Sequence, residues 1–257
     1  MCGRYVSPAE AAIEREWHVG SPNSNPFPQR FNVAPTTVVP ILGIGQSGEL
    51  ALMMARWGLI PHWWKEAKPP RFTFNARSEE IMAADMWRQP MRSARCLVPA
   101  LGWYEWQAAA RIDPATGEVI KVKQPRFIHR RDGGLLCFAG LMSTWQPAGQ
   151  SEPVLSCSIL TKSASGSVAA VHERMPVVLP ADAHAAWVDA ASTDAARACE
   201  LVRERAIDDF EHYPVSVAVN SVKNDDARLI EAAEPAASVR STEDEKPAPG
   251  HMNDLFG

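Results

Sequence analysis

Cys2 directly follows the initiator methionine. Loss of Met1, which a small second residue permits, would leave one residue presenting a thiol and an α-amine on adjacent carbons. That amine, with an ordinary pKa of ~8, is neutral in roughly a tenth of molecules at pH 7, unlike a lysine at ~10.4. A neutral amine attacks an aldehyde to give an imine, and the neighbouring thiol can then close a five-membered thiazolidine. Alternatively the thiol attacks a carbonyl with its own amine as base, as in N-terminal nucleophile hydrolases. A cysteine that merely follows methionine is the plain alternative. Cys96, Cys137, Cys157 and Cys199 lie in apolar stretches and read as small hydrophobes. None forms a CxxC pair, so no metal is expected, and no cofactor motif is present.

Other segments hold groups that could assist. Glu105 stands in Gly102-Trp103-Tyr104-Glu105-Trp106, flanked by three aromatics. Partial desolvation there would raise its pKa into the general acid/base range; an exposed glutamate on an aromatic strand is the equal alternative. His172 and Arg174 lie two apart before Pro176, suited to proton transfer and to holding an anion, or to a structural hydrogen bond. Asn75 and Arg77 share a face if their segment is extended, which would offer a ligand an amide and a cation. Trp63 and Trp64 are adjacent, and on an extended segment they point to opposite sides. One of them would then be a stacking platform for bases, unless both are packed.

Several elements must position these groups. Ser7-Pro8-Ala9-Glu10 reads as a capping box that opens a helix from Pro8 to Trp17. Val38–Ile44 and Leu50–Trp57 suggest a hairpin, and two more are expected, at 113–117 and at Asp132-Gly133-Gly134. Ser78 could cap a helix running into Met86. Cys96–Pro99, Val154–Thr161 and Phe210–Val217 read as strands, and Pro180–Ala190 and Thr193–Ala206 as helices. Hairpins without βαβ alternation favour an α+β fold with an antiparallel, barrel-like sheet and peripheral helices.

Composition narrows the class. The length and a 46% apolar content fit one compact domain, read as residues 1–230. No apolar run is long enough to span a membrane, and the first residues lack an apolar signal core. Five unpaired cysteines suit a reducing cytoplasm. Of 30 acids and 26 bases, six and two lie in residues 231–257, leaving 24 of each in the body. There is no global basic field for coating duplex DNA, so any nucleic-acid contact must be local. The Ala/Pro/Glu-rich stretch 231–257 reads as a disordered acidic tail.

Together, Met1-Cys2-Gly3-Arg4, Phe31-Asn32-Val33-Ala34-Pro35, Trp57-Gly58-Leu59-Ile60-Pro61, Asn75-Ala76-Arg77-Ser78-Glu79, Gly102-Trp103-Tyr104-Glu105-Trp106 and His172-Glu173-Arg174-Met175-Pro176 occur in that order. The sequence closely resembles the SOS-response-associated peptidase (SRAP) family, whose members crosslink to abasic sites in single-stranded DNA. The likeness runs from Cys2 to about Asp226. It implies a β-barrel-like core and a cleft over Cys2, which would supply amine and thiol to the ring-opened sugar aldehyde. Asn75 would orient the sugar, Glu105 would move protons, and His172 would assist ring opening. Arg4, Arg77 and Arg174 would hold phosphates, and Trp63, Trp64 and Trp106 would pack against nucleotides. Weak abasic-site lyase activity and self-processing removal of Met1 are further implications. Two other readings stand beside it. One is an N-terminal-cysteine amidotransferase, which shares only the Met-Cys-Gly start; the other is a non-covalent single-strand-binding module. Asp254-Leu255-Phe256 resembles a degenerate sliding-clamp-binding peptide. A monomer is the default.

Overall fold

The computed structural model describes residues 2–20, 26–113 and 115–234. In chain order these form β1 (Tyr5–Ser7), α1 (Glu10–Trp17), β2 (Arg30–Val33), β3 (Val38–Ile44), β4 (Leu50–Trp57), β5 (Asn75–Arg77), α2 (Asp85–Ser93) and β6 (Arg95–Ala100). There follow β7 (Gly102–Ile112), β8 (Val119–His129), β9 (Leu136–Trp145), β10 (Val154–Ser163), β11 (Arg174–Pro176), α3 (Ala181–Val188), α4 (Ala195–Arg205) and β12 (Glu211–Pro214).

Two sheets result. One is ordered β12-β8-β7-β1-β2. In the other, β3, β4, β10, β9 and β6 close into a five-stranded barrel, because β10 pairs with both β4 and β9. The α+β, barrel-like expectation holds, with one refinement. The β4–β10 junction is parallel, Ser156 opposite Arg56, and β5 also lies parallel to β10. The barrel is therefore mixed.

The period-2 patterning of the strands explains the layers. Val39, Ile41, Ala55, Trp57, Cys96, Val98, Phe138, Cys157 and Ile159 join one core with Tyr5, Trp103 and Ile128 of the other sheet. Their neighbours Leu42, Leu52, Leu97, Ala139, Leu141 and Leu160 turn outward, under Ile13, Met91, Trp187 and Leu201 of the helices. The opposite face of the five-stranded sheet is covered by Tyr104, Phe127, Val215, Val219 and Leu229.

Three local expectations need correcting. Ser7 belongs to β1 and does not cap α1, whose N-cap is Ala9. The Glu10 carboxylate instead accepts from the Phe27 N–H at 3.1 Å. The turn at Asp132-Gly133-Gly134 joins no hairpin: β8 pairs with β7 and β12, and β9 with β6 and β10, so the chain changes sheet there. Ser78 starts only a 3-10 turn, Ser78–Glu80, and the helix begins at Asp85. Ala232 bridges to Val215, which ties residues just past 230 to the sheet. From residue 235 onward the tail, with the Asp254-Leu255-Phe256 reading, lies outside the described residues. Among the described residues, no helix is long and apolar enough to cross a membrane.

Candidate active site

β1 is fixed from both sides, Tyr5 pairing with Val33 of β2 and Trp103 of β7. Cys2 is thereby carried into the core, where it is fully buried. β5 sets Asn75 opposite Ile159 of β10, and Asn75 Nδ2 donates to the Cys2 carbonyl at 2.8 Å. Asn75 Oδ1 is buried without a hydrogen-bond partner among the described residues. An unsatisfied acceptor of this kind costs about 1–3 kcal/mol, and here it stands next to the candidate nucleophile.

Glu105 follows Trp103 by two residues on β7, so it shares the inner face with the Cys2 core. It is 2% exposed, and burial pushes its carboxyl up to about 7. Burial, reinforced by the charge of Glu105, also pushes the Cys2 thiol well above its ordinary range. The thiol is thus protonated at neutral pH. His172 Nε2 lies 3.8 Å from Glu105 Oε2, in contact but beyond hydrogen-bond length. His172 Nδ1 lies against the Arg174 backbone, 3.0 Å from its N–H and 3.2 Å from its carbonyl oxygen, which turns Nε2 toward Glu105. Burial lowers the His172 pKa, which keeps the neutral ring dominant at pH 7. Cys2, Asn75, Glu105 and His172, from four separate segments, meet at one place.

The arginines are disposed less uniformly. Arg77 is exposed, 3.6 Å from Glu80. Arg174 is only 12% exposed and grips both oxygens of Glu79 at 2.7 and 2.9 Å, while its Nη2 also donates to the Thr161 carbonyl. Arg4 donates to Asn32 Oδ1 and to the Val219 carbonyl. Both of these guanidinium groups are committed within the protein.

Trp63 and Trp64 lie in a turn closed by the Trp64 N–H on the Pro61 carbonyl, which replaces the extended segment expected there. Their rings are 6.2 Å apart at 50°, and Trp63 is 45% exposed. Trp64 Nε1 donates to the Lys68 carbonyl. Trp106 packs on the outer face of the sheet, away from the Cys2 core, with Nε1 donating to Asn220 Oδ1 at 2.7 Å.

Three further residues stand out; Asn32 and Glu79 were quoted only inside longer motifs, and Phe72 in none. Asn32 is a hub, its Nδ2 donating to the carbonyls of Val219, Ser221 and Asn224. Glu79 anchors Arg174. Phe72 is 78% exposed on a left-handed backbone, φ 60°, beside a cavity of about 310 Å³ lined by Pro35, Arg56 and Arg71. The order of the quoted motifs hinted at Asn32 and Glu79; nothing local marks Phe72. An apolar cavity of about 860 Å³ between α1 and α3 contains none of the site residues. No group of three or more His, Cys, Asp or Glu suited to a metal occurs among the described residues.

The family model described as SOS response associated peptidase (SRAP) matches residues 1–222. "Abasic site processing protein YoqW" of Bacillus subtilis is 34% identical over 90% of this chain and 100% of its own length. "Abasic site processing protein HMCES" of Gallus gallus is 34% identical over 70% of this chain and 56% of its own length. A phage-related protein of Bordetella bronchiseptica with a crystal structure is 32% identical, with a TM-score of 0.62, covering 83% of this chain and 94% of that one. A Bacteroides thetaiotaomicron structure at 21% identity and TM-score 0.73 covers 91% of this chain and supports the fold.

Proposed function

This chain belongs to the SOS response associated peptidase (SRAP) family, and from that premise we propose that it processes abasic sites by capturing them covalently on Cys2. The observation that carries the reading is the convergence on Cys2 of a carboxyl poised near neutrality, a neutral imidazole and an unspent amide oxygen.

The protonated thiol dictates the order of events. Once Met1 is gone, the α-amine of Cys2 is the group ready to attack the ring-opened sugar aldehyde. Addition gives a carbinolamine, and Glu105, half protonated near pH 7, protonates its hydroxyl so that water leaves and an imine forms. Cys2 Sγ then adds to the imine carbon while its proton passes to the nitrogen, Glu105 relaying it. A thiazolidine results, with one water lost overall. Asn75 holds the Cys2 carbonyl through Nδ2 and offers Oδ1 to the amine or a sugar hydroxyl. His172, with Nε2 3.8 Å from Glu105 Oε2, stabilises the carboxylate when it forms. Arg77 is the exposed cation for an adjacent phosphate, and Trp63 the exposed ring for a base. β-Elimination from the same imine would give lyase activity, and exposure of the Cys2 amine by loss of Met1 is the self-processing step.

The test mixes processed protein with single-stranded DNA carrying one abasic site and resolves the products on a denaturing gel. A heat-stable band, lost in Cys2→Ala and on undamaged DNA, is expected. A band that persists in Cys2→Ala would overturn the mechanism.

A further inference from the structure

Behind the 3-10 turn that carries Glu79, the packing leaves a hollow. A cavity of about 230 Å³ lies between that turn, α2, α4 and the outer side of β10, with exposed Glu79 and Arg203 at its edge. Its walls are apolar: Ile81 and Met82 after the turn, Met91 of α2, Leu160 of β10 and Val202 of α4. Cys199, one turn before Arg203 on α4, completes them. The two methionines let the walls follow the shape of an occupant.

Two polar groups on this cavity lack partners. On α4, Arg197 pairs with Glu200 and Glu204, and Arg205 pairs with Asp182. Arg203 forms no ion pair or hydrogen bond among the described residues, and neither does the Ser78 hydroxyl. The nearby carboxylates do not answer that charge. Arg174 grips both oxygens of Glu79, and Glu80 lies 3.6 Å from Arg77. A cation therefore stands unopposed at the edge of an apolar hollow. Water would satisfy both polar groups but leave the apolar wall wet, which a ring or short chain would relieve. An engineered apolar cavity of about 150 Å³ takes up benzene, so this one has room for a ring with a short chain.

We propose that this cavity is a binding site for a small monocarboxylate with an apolar body. The body lies on Met82, Leu160 and Val202, and the carboxylate meets Arg203 and the Ser78 hydroxyl. Cys2, Asn75, Glu105 and His172 do not line the cavity, so the inference stands apart from lesion capture.

The probes are 3-phenylpropanoate and its amide, which share one shape and differ in charge. Titration calorimetry on the full chain should show the acid binding about tenfold more tightly than the amide, the worth of one charge-assisted hydrogen bond. Cys199, half-buried where the other four cysteines are buried, reports the location. The acid should slow its alkylation by iodoacetamide several-fold, followed on its own peptide. Arg203→Gln should bring the acid down to the affinity of the amide and leave the amide unchanged. Met82→Trp, which fills the hollow, should abolish binding of both. Arg203 is exposed, so the first variant tests the site whether or not the second folds. Acid and amide binding equally to the parent would overturn the proposal, as would an Arg203→Gln variant that still prefers the acid. So would unchanged Cys199 alkylation at millimolar acid, or binding that a folded Met82→Trp variant retains.

Discussion

Glu105 holds a carboxyl with a folded pKa of about 7 against an ordinary 4.5, because burial strips water from the ion. The native state therefore binds that proton more tightly than the unfolded chain. The stability it contributes is full below about pH 4.5 and is lost as pH rises through about 7. Glu105→Gln removes this loss. Denaturant unfolding at pH 5 and pH 8 should show the variant gaining on the parent by on the order of 2 to 3 kcal/mol at the higher pH. Crosslinking should meanwhile slow about a hundredfold, the usual worth of a general acid/base. Equal pH dependence in the two proteins would mean that Glu105 titrates normally. The desolvation of Glu105 could be expected from its three aromatic neighbours, whereas Cys2 and His172 were picked out by the motif order that carries the family resemblance. The commitments of Arg4 and Arg174 were not legible, since their partners Val219 and Glu79 are remote in sequence.

Among the elements, β11 matters through its anchor. Arg174 ties this three-residue strand to Thr161 of β10 and to Glu79 on the 3-10 turn that follows β5, while its N–H contacts His172. The Arg174 guanidinium holds the Glu79 carboxyl down at about 2, so the pair persists above about pH 4.5 and weakens only as pH falls toward 2. Glu79→Gln should slow crosslinking several-fold and move its pH profile upward, because a loosened His172 no longer favours ionised Glu105. Glu79→Asp should recover part of the rate. An unchanged profile would confine Glu79 to a structural role. Gly102 is the other sensitive point: a Cβ there would meet the Ile128 carbonyl oxygen and the Phe127 ring at 2.5 Å. Gly102→Ala should cost about 3 kcal/mol of folding stability, measured by urea unfolding, as backbone and ring cannot both yield. The β3–β4 and β7–β8 hairpins could be read ahead because alternation and turn residues are local. The sheet change after Asp132 could not, since the same turn residues serve a hairpin or a crossing. The parallel closure of β4 on β10 joins segments about a hundred residues apart, which no local pattern records.

For the molecule as a whole, the equal numbers of acids and bases in residues 1–230 agree with a site built from local contacts. Two packed sheets bring the four site residues together from positions spread over 170 residues, so the site depends on the whole fold being intact. The most direct test of covalent capture on Cys2 is the mass of the adduct. Processed protein joined to an abasic strand should weigh the sum of the two less one water. Digestion should place the strand on the N-terminal peptide, and borohydride should leave the ring unchanged. An adduct on a lysine, an imine that borohydride reduces, or an adduct that survives Cys2→Ala would contradict the account.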